Sequence, residues 1–284
     1  MAKFAGFCHG VKRAVDLSIK IKSENPDTPV YILGQLIHNN QVIEHLSKLG
    51  VKTINEIPEK LEGICIIRTH GATPQTIKQL ETKGCKIVDA TCPDVKRAQD
   101  NARSLAEDGY RVIIIGKPDH PEVIAIKAHA DLISNQSALV ISSQDEVENY
   151  LGEIRSCKKI GIVIQTTQKA EIFSKIVPSI AENSKELKIY NTICPATYKR
   201  QQEAKALAKE VELMVVVGSK SSANTTHLSE IIGQDTKTIH IETHQELDLY
   251  KDLLSNISKI GITAGASTPD YVINEVIKNI GELD

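Results

Sequence analysis

One unit of sequence occurs three times in this chain, and each copy sets a cysteine at the same joint. In Asp89-Ala90-Thr91-Cys92-Pro93-Asp94-Val95-Lys96-Arg97 a strand (Lys86–Asp89) gives way to a Thr-Cys-Pro turn and then a helix. The stretch from Ile189 through Cys194-Pro195 to Lys199-Arg200 has the same shape, and Gly6-Phe7-Cys8-His9-Gly10-Val11-Lys12-Arg13 is a looser copy. From Cys92 to Gly116 and from Cys194 to Gly218 is 24 residues, and from Cys8 to Gly34 it is 26. Four residues past each of these glycines stands a polar residue at a strand-to-helix junction: His38, His120 and Ser222. Each copy closes on another small polar turn: Arg68-Thr69-His70-Gly71, Gln165-Thr166-Thr167-Gln168 and Ala264-Gly265-Ala266-Ser267. Cysteines, imidazoles and hydroxyls thus fall at the C-terminal ends of strands, where open α/β sheets bind ligands. One copy is irregular, because only Met1–Phe7 precede Cys8 and leave no room for a long strand leading into it.

Between these joints, β-rich apolar runs alternate with amphipathic helical stretches. Strands are predicted at Val30–Leu33, Ile64–Arg68, Lys86–Asp89, Val112–Ile115, Leu139–Ile141, Ile160–Ile164, Leu187–Asn191, Leu213–Val217, Thr238–Ile241 and Lys259–Thr263, with helices such as Lys96–Asp108 and Tyr198–Glu210 between them. The alternation predicts an α/β fold with mostly parallel sheets. The repeat divides it into three units, residues 1–91, 92–190 and 191–284, and a pseudo-threefold arrangement of these would bring the cysteines to one point. The 284 residues suffice for a large core, and a net charge of −2 without a basic run argues against nucleic acid as the partner. With no membrane-length apolar run and no signal-peptide pattern, the expected location is cytoplasmic.

In a reducing compartment six cysteines are not expected to form a disulfide framework. A thiol at a helix start is favoured as thiolate by the helix dipole. Three such thiolates suit an iron–sulfur cluster, whose usual complement is four, so that one iron would lack a protein ligand. Zinc held by the three cysteines and a histidine such as His9 is the alternative. Cys65, Cys85 and Cys157 lie outside the repeat and read as structural. His38, His70, His120 and Ser267, with Ser221, Ser222 and Asn224 of the Gly218–Asn224 loop, are donors of the kind that bind phosphate oxygens. The loop lacks the P-loop signature, and the chain holds three Phe and no Trp for stacking a base, so a small phosphate or diphosphate compound is expected rather than a nucleotide. Glu122 is the acid nearest a ring position and could relay a proton, or serve only as a dipole-favoured acid of a helix's first turn. Thr166 and Thr167 could orient a substrate, or simply end a strand.

Taken together, Phe4–Val15, Ile37-His38-Asn39, Thr69-His70-Gly71, Asp89–Pro93, His120-Pro121-Glu122-Val123, Gln165-Thr166-Thr167, the Cys194 turn, Gly218–Asn224 and Thr263–Asp270 resemble, in order and from end to end, the 4-hydroxy-3-methylbut-2-enyl diphosphate reductase (IspH/LytB) family. The resemblance implies three α/β units around a central 4Fe–4S cluster held by Cys8, Cys92 and Cys194, isolable as 3Fe–4S once the unique iron is lost. It implies that this iron takes the substrate's allylic hydroxyl. Two electrons and two protons then remove the oxygen as water, giving isopentenyl and dimethylallyl diphosphates in the last step of the methylerythritol phosphate pathway. It further implies diphosphate binding by His38, His70, His120, Ser222, Asn224 and Ser267, proton donation by Glu122, and a Thr166 hydroxyl beside the substrate alcohol. A ferredoxin or flavodoxin is the implied electron donor, and a monomer is expected. A non-redox cluster hydratase and a zinc-stabilised phosphate-binding module are the competing readings.

Overall fold

Continuous apolar runs must be covered on both faces, and parallel sheets flanked by helices do this. The runs Arg111–Ile115, Ile160–Ile164 and Leu213–Val217 are buried at every residue. The computed structural model describes residues 1–282. Its strands are β1 (Val30–Leu33), β2 (Val51–Ile54), β3 (Ile64–Ile67), β4 (Lys86–Asp89), β5 (Arg111–Ile115), β6 (Leu139–Ile141), β7 (Ile160–Ile164), β8 (Leu187–Tyr190), β9 (Leu213–Val217), β10 (Lys237–Ile241) and β11 (Ile260–Ala264). The helices are α1 (His9–Glu24), α2 (Asn40–Lys48), α3 (Pro74–Thr82), α4 (Pro93–Glu107), α5 (Pro121–Asp131), α6 (Gln144–Ser156), α7 (Ala170–Glu182), α8 (Pro195–Ala208), α9 (Ala223–Ile232), α10 (Lys251–Leu254) and α11 (Asp270–Gly281), with a 3₁₀ helix at His244–Tyr250.

Three all-parallel sheets result, ordered β2-β1-β3-β4, β6-β5-β7-β8 and β10-β9-β11. The order is the same in each, so the repeat in the sequence is a repeat of structure, and the α/β class is as expected. The third sheet is one strand short. The ten predicted strands are present with ends shifted by at most a residue, and β2 is an addition. It is an edge strand with a single fully buried residue, Val51, so Lys52 and Thr53 hide its period. Both α4 and α8 start three residues earlier than predicted, at Pro93 and Pro195, because proline is tolerated in the first helical turn, where its missing N–H costs nothing.

The chain forms two compact units. One comprises Met1–Arg13, Ile37–Lys48 and the chain from Pro195 on, and contains the third sheet. Its core lines both faces of β9, with Leu213, Val215 and Val217 against β10, β11 and α11, and Met214 and Val216 against α8 and α9. The other comprises Ala14–Leu36 and Leu49–Cys194 and contains the first two sheets. Here α4 packs closely on α5 through Ala98 and Ala102, whose small side chains let Val123 and Ile126 approach. Among the described residues no helix is long and apolar enough to cross a membrane.

Candidate active site

Each repeat cysteine is held by the same backbone hydrogen bond. The N–H of Cys92 donates to the Thr69 carbonyl at 3.0 Å, that of Cys194 to Thr166 at 2.9 Å, and that of Cys8 to Ala266 at 3.1 Å. Thr69, Thr166 and Ala266 occupy matching places in the turns that end β3, β7 and β11. The strand-ending turn thus fixes the cysteine turn, and the cysteine opens a helix: α1, α4 or α8. Cys92 is the N-cap of α4, with extended-type φ −58° and ψ 134°, and its side chain makes no capping hydrogen bond. Thr192 reinforces the Cys194 turn, accepting the Ile164 N–H at 2.8 Å and donating to the Ile164 carbonyl. None of the six cysteines is in a disulfide. Cys65 and Cys85 are buried in an apolar cluster beneath the first sheet. Burial pushes the Cys65 thiol up to about 11, so it stays protonated and inert.

In the larger unit the second sheet positions a buried acid. Glu122, in the first turn of α5, is 1% exposed. Its carboxylate accepts the Thr166 N–H at 2.6 Å and the Thr166 hydroxyl at 2.9 Å. Burial raises the Glu122 carboxyl from 4.5 to about 7; the two Thr166 bonds oppose this, and the nearby charge of Asp94 adds to it. In the first sheet the matching Thr69 directs the same two donors, N–H at 3.2 Å and hydroxyl at 2.8 Å, to the Leu36 carbonyl. A carbonyl there is a fixed acceptor, whereas Glu122 at the second position can gain and lose a proton. The threefold repeat is therefore broken where a titratable group is placed. Replacing Thr166 by valine removes the hydroxyl bond that favours the carboxylate, so the Glu122 titration is expected to move up by about one unit, read from its ¹³C carboxyl signal.

Asp94, two residues after Cys92, is buried in the first turn of α4, accepts the Cys194 thiol hydrogen at 3.0 Å and is paired with Arg97 at 2.8 Å. Its sequence signal was that of any acid opening a helix. His120 caps α5, its Nδ1 accepting the Glu122 N–H at 3.2 Å. The ring of His70 meets that of His120 edge-on, with centroids 5.4 Å apart. The tight turn after His70 needs Gly71, with φ +77°, because the Gln99 amide lies where a Cβ would stand. Cys92, Cys194, Glu122, Thr166, His70 and His120 thus all fall in this unit, on the C-terminal side of their strands.

The smaller unit holds Cys8, His38, Ser221, Ser222, Asn224 and Ser267. Ser222 caps α9; its hydroxyl accepts the Thr225 N–H at 3.5 Å and the Ser267 hydroxyl hydrogen at 3.4 Å. Ser267 also reaches the His38 carbonyl at 3.3 Å. Asn224 is 8% exposed, and its side-chain Nδ2 has no hydrogen-bond partner among the described residues. A buried amide donor left unmet is costly, and an anionic oxygen would satisfy it. Ser221 is exposed to solvent, and its hydroxyl instead lies 2.9 Å from that of buried Ser219. Ser222, Ser267 and His38 are therefore brought together, and Ser221 stands apart from them.

Residues 1–281 match a known family, described as "LytB protein". It is 41% identical over 285 residues to the 4-hydroxy-3-methylbut-2-enyl diphosphate reductase of Geobacter metallireducens, covering 100% of this chain and 97% of that one. It is 43% identical over 290 residues to the enzyme of the same name from Clostridium perfringens strain 13, covering 100% and 98%. A solved (E)-4-hydroxy-3-methyl-but-2-enyl diphosphate reductase, called the terminal enzyme of the non-mevalonate pathway, superposes with a TM-score of 0.73 at 40% identity, over 99% of this chain and 98% of the other. The Plasmodium falciparum reductase superposes with a TM-score of 0.86 at 27% identity, over 96% and 85%.

Proposed function

The chain belongs to the LytB protein family, and from that membership we propose that it reduces 4-hydroxy-3-methylbut-2-enyl diphosphate, the terminal step of the non-mevalonate pathway. The reaction takes two electrons and two protons, breaks the allylic C–O bond, releases water and leaves isopentenyl or dimethylallyl diphosphate. The observation that carries the proposal is the buried Glu122–Thr166 pair. A carboxyl titrating near neutrality can hold a proton at physiological pH and give it to a leaving oxygen. The same Thr166 binds the backbone of Cys194 through its carbonyl.

Cys8, Cys92 and Cys194 are the proposed ligands of an iron–sulfur cluster. Their chemistry fits: they are unbridged thiols, each at a helix start, and each has its N–H anchored by an equivalent turn. When bound, the cluster supplies the electrons and a Lewis-acidic iron that lacks a protein ligand. The chain's own residues do the rest. His38, His70, His120, Ser222, Asn224 and Ser267 offer donors for diphosphate oxygens, with Ser221 as an outer hydroxyl of the same loop. The Asn224 amide is the clearest of these, because its Nδ2 is buried without a hydrogen-bond partner among the described residues. Thr166 orients the substrate alcohol, and Glu122 delivers the proton. A ferredoxin or flavodoxin serves as the one-electron donor to this cytoplasmic, monomeric enzyme.

Anaerobic iron and sulfide analysis combined with turnover tests the proposal. About four irons and four sulfides per chain are expected, with conversion of the hydroxylated diphosphate only when dithionite and a mediator are present. Turnover without reductant would point to a hydratase; zinc in place of iron, with no turnover, would point to a binding module.

A further inference from the structure

The third sheet lacks the strand that in the other two leads into the cysteine, since β4 precedes Cys92 and β8 precedes Cys194. The N-terminal segment takes that place. The Ala2 N–H donates to the Ile262 carbonyl of β11 at 2.9 Å, and the Cys8 N–H reaches Ala266 beyond its end. Ala2 is 2% exposed, and Ala5 packs on the third sheet's core. The short preceding sequence therefore does not leave Cys8 unsupported. Yet between Ala2 and Cys8 the segment forms no regular ladder, and two side chains of α8 supply the missing partners. The Glu203 carboxylate accepts the N–H groups of Lys3 at 2.6 Å and Phe4 at 2.8 Å, one on each oxygen. Arg200, 4% exposed, donates to the Ala264 carbonyl of β11 at 2.7 Å and to the Gly6 carbonyl at 2.9 Å. One guanidinium thus joins the sheet to the segment two residues before Cys8. Gly6 itself must be glycine, with φ +86° and Asp270 and Ile273 where a Cβ would point.

We infer that Arg200 and Glu203 are positioning residues for Cys8, standing in for a strand ladder and holding the N-terminal segment against β11. They sit one helical turn apart on α8, on the same face, which is how one helix can grip the segment at two points. A carboxylate is needed at 203, because it can accept two N–H groups at once, whereas an amide would turn its own NH₂ toward one of them.

The inference rests on the assignment of Cys8 as a cluster ligand only for its functional meaning, and its test does not require the cluster. In the cluster-free full-length chain, iodoacetamide labelling of each cysteine is followed by peptide mass spectrometry, alongside hydrogen exchange at Lys3 and Phe4. Glu203→Gln is expected to accelerate labelling of Cys8 and exchange at both amides by about tenfold, the factor corresponding to one hydrogen bond to a charged group. Cys92 labelling and the unfolding midpoint should not change. Arg200→Lys, which keeps the charge but loses the two-pronged geometry, should shift Cys8 in the same direction. An unchanged Cys8 rate, or equal acceleration at Cys8 and Cys92, overturns the inference. Iron content of Cys8→Ser checks the ligand assignment separately: full iron in that variant would remove Cys8 from the cluster while leaving the labelling result intact.

Discussion

A Cys92→Ser chain is expected to fold as well as the parent while losing its iron and its turnover together. The fold is safe because Cys92 occupies the N-cap of α4 and makes no capping bond there, whereas serine is among the best residues for that position. The unfolding midpoint should stay level or rise slightly. The chemistry is not safe. A serine hydroxyl is hard and essentially never ionised near neutrality, while iron–sulfur clusters are held by soft thiolates. Turnover should fall by roughly three orders of magnitude or more, with visible absorbance lost in the same sample. Retained absorbance with retained activity would remove Cys92 from the ligand set. Cys65→Ser makes the contrast, since Cys65 is a core residue with a raised pKa. It should lower stability and leave iron content per folded chain unchanged.

Glu122→Gln should do the opposite: keep the cluster and lose the reaction. Glutamine preserves the shape of the side chain but carries no transferable proton. The expected cost is about 10²–10⁴ in kcat, with KM changed little, because Glu122 is proposed to act on the leaving oxygen rather than on the diphosphate. The pH profile makes the assignment specific. With the Glu122 carboxyl at about 7, the parent's rate should fall as pH rises through 7 and the acid form is depleted. The residual activity of Glu122→Gln should show no such limb. Stability follows the same titration. The folded carboxyl is raised from 4.5 to about 7, so its contribution is fully present below pH 4.5 and is lost as pH climbs through about 7. Over that interval the parent's unfolding midpoint should fall relative to that of Glu122→Gln. Near-normal turnover in the variant would mean that another group donates the proton.

The sheet strands were readable because short runs rich in valine and isoleucine recur along the chain, as parallel strands buried on both faces require. Where an edge strand is half solvated, as at Val51–Ile54, that signal fails. The cysteines were readable because repetition marks them, which no single thiol could do. The Glu122–Thr166 pair was visible only as two candidates, since 44 positions separate them and burial, the cause of the raised pKa, has no signature in one sequence. Ser221 and Ser222 look alike in sequence, yet only the second caps a helix; in an irregular loop nothing says which neighbour turns inward. Arg200 and Glu203 read as ordinary charges on a helix, because their partners are backbone groups 64 to 200 residues away.

That separation has a kinetic side. The Cys92 turn closes on Thr69 and the Cys194 turn on Thr166, both already made when the cysteine is synthesised. Cys8 is made long before its acceptor, Ala266. During synthesis the N-terminal segment has no β11 to lie against, so two cysteine turns can form on the ribosome and the third must wait until Ala266 has been made. A truncated product ending before Ile260 would therefore carry Cys92 and Cys194 in formed turns and Cys8 on an undocked end. Formation of the Cys8 turn is in this way timed by topology to the synthesis of β11 and the turn that follows it.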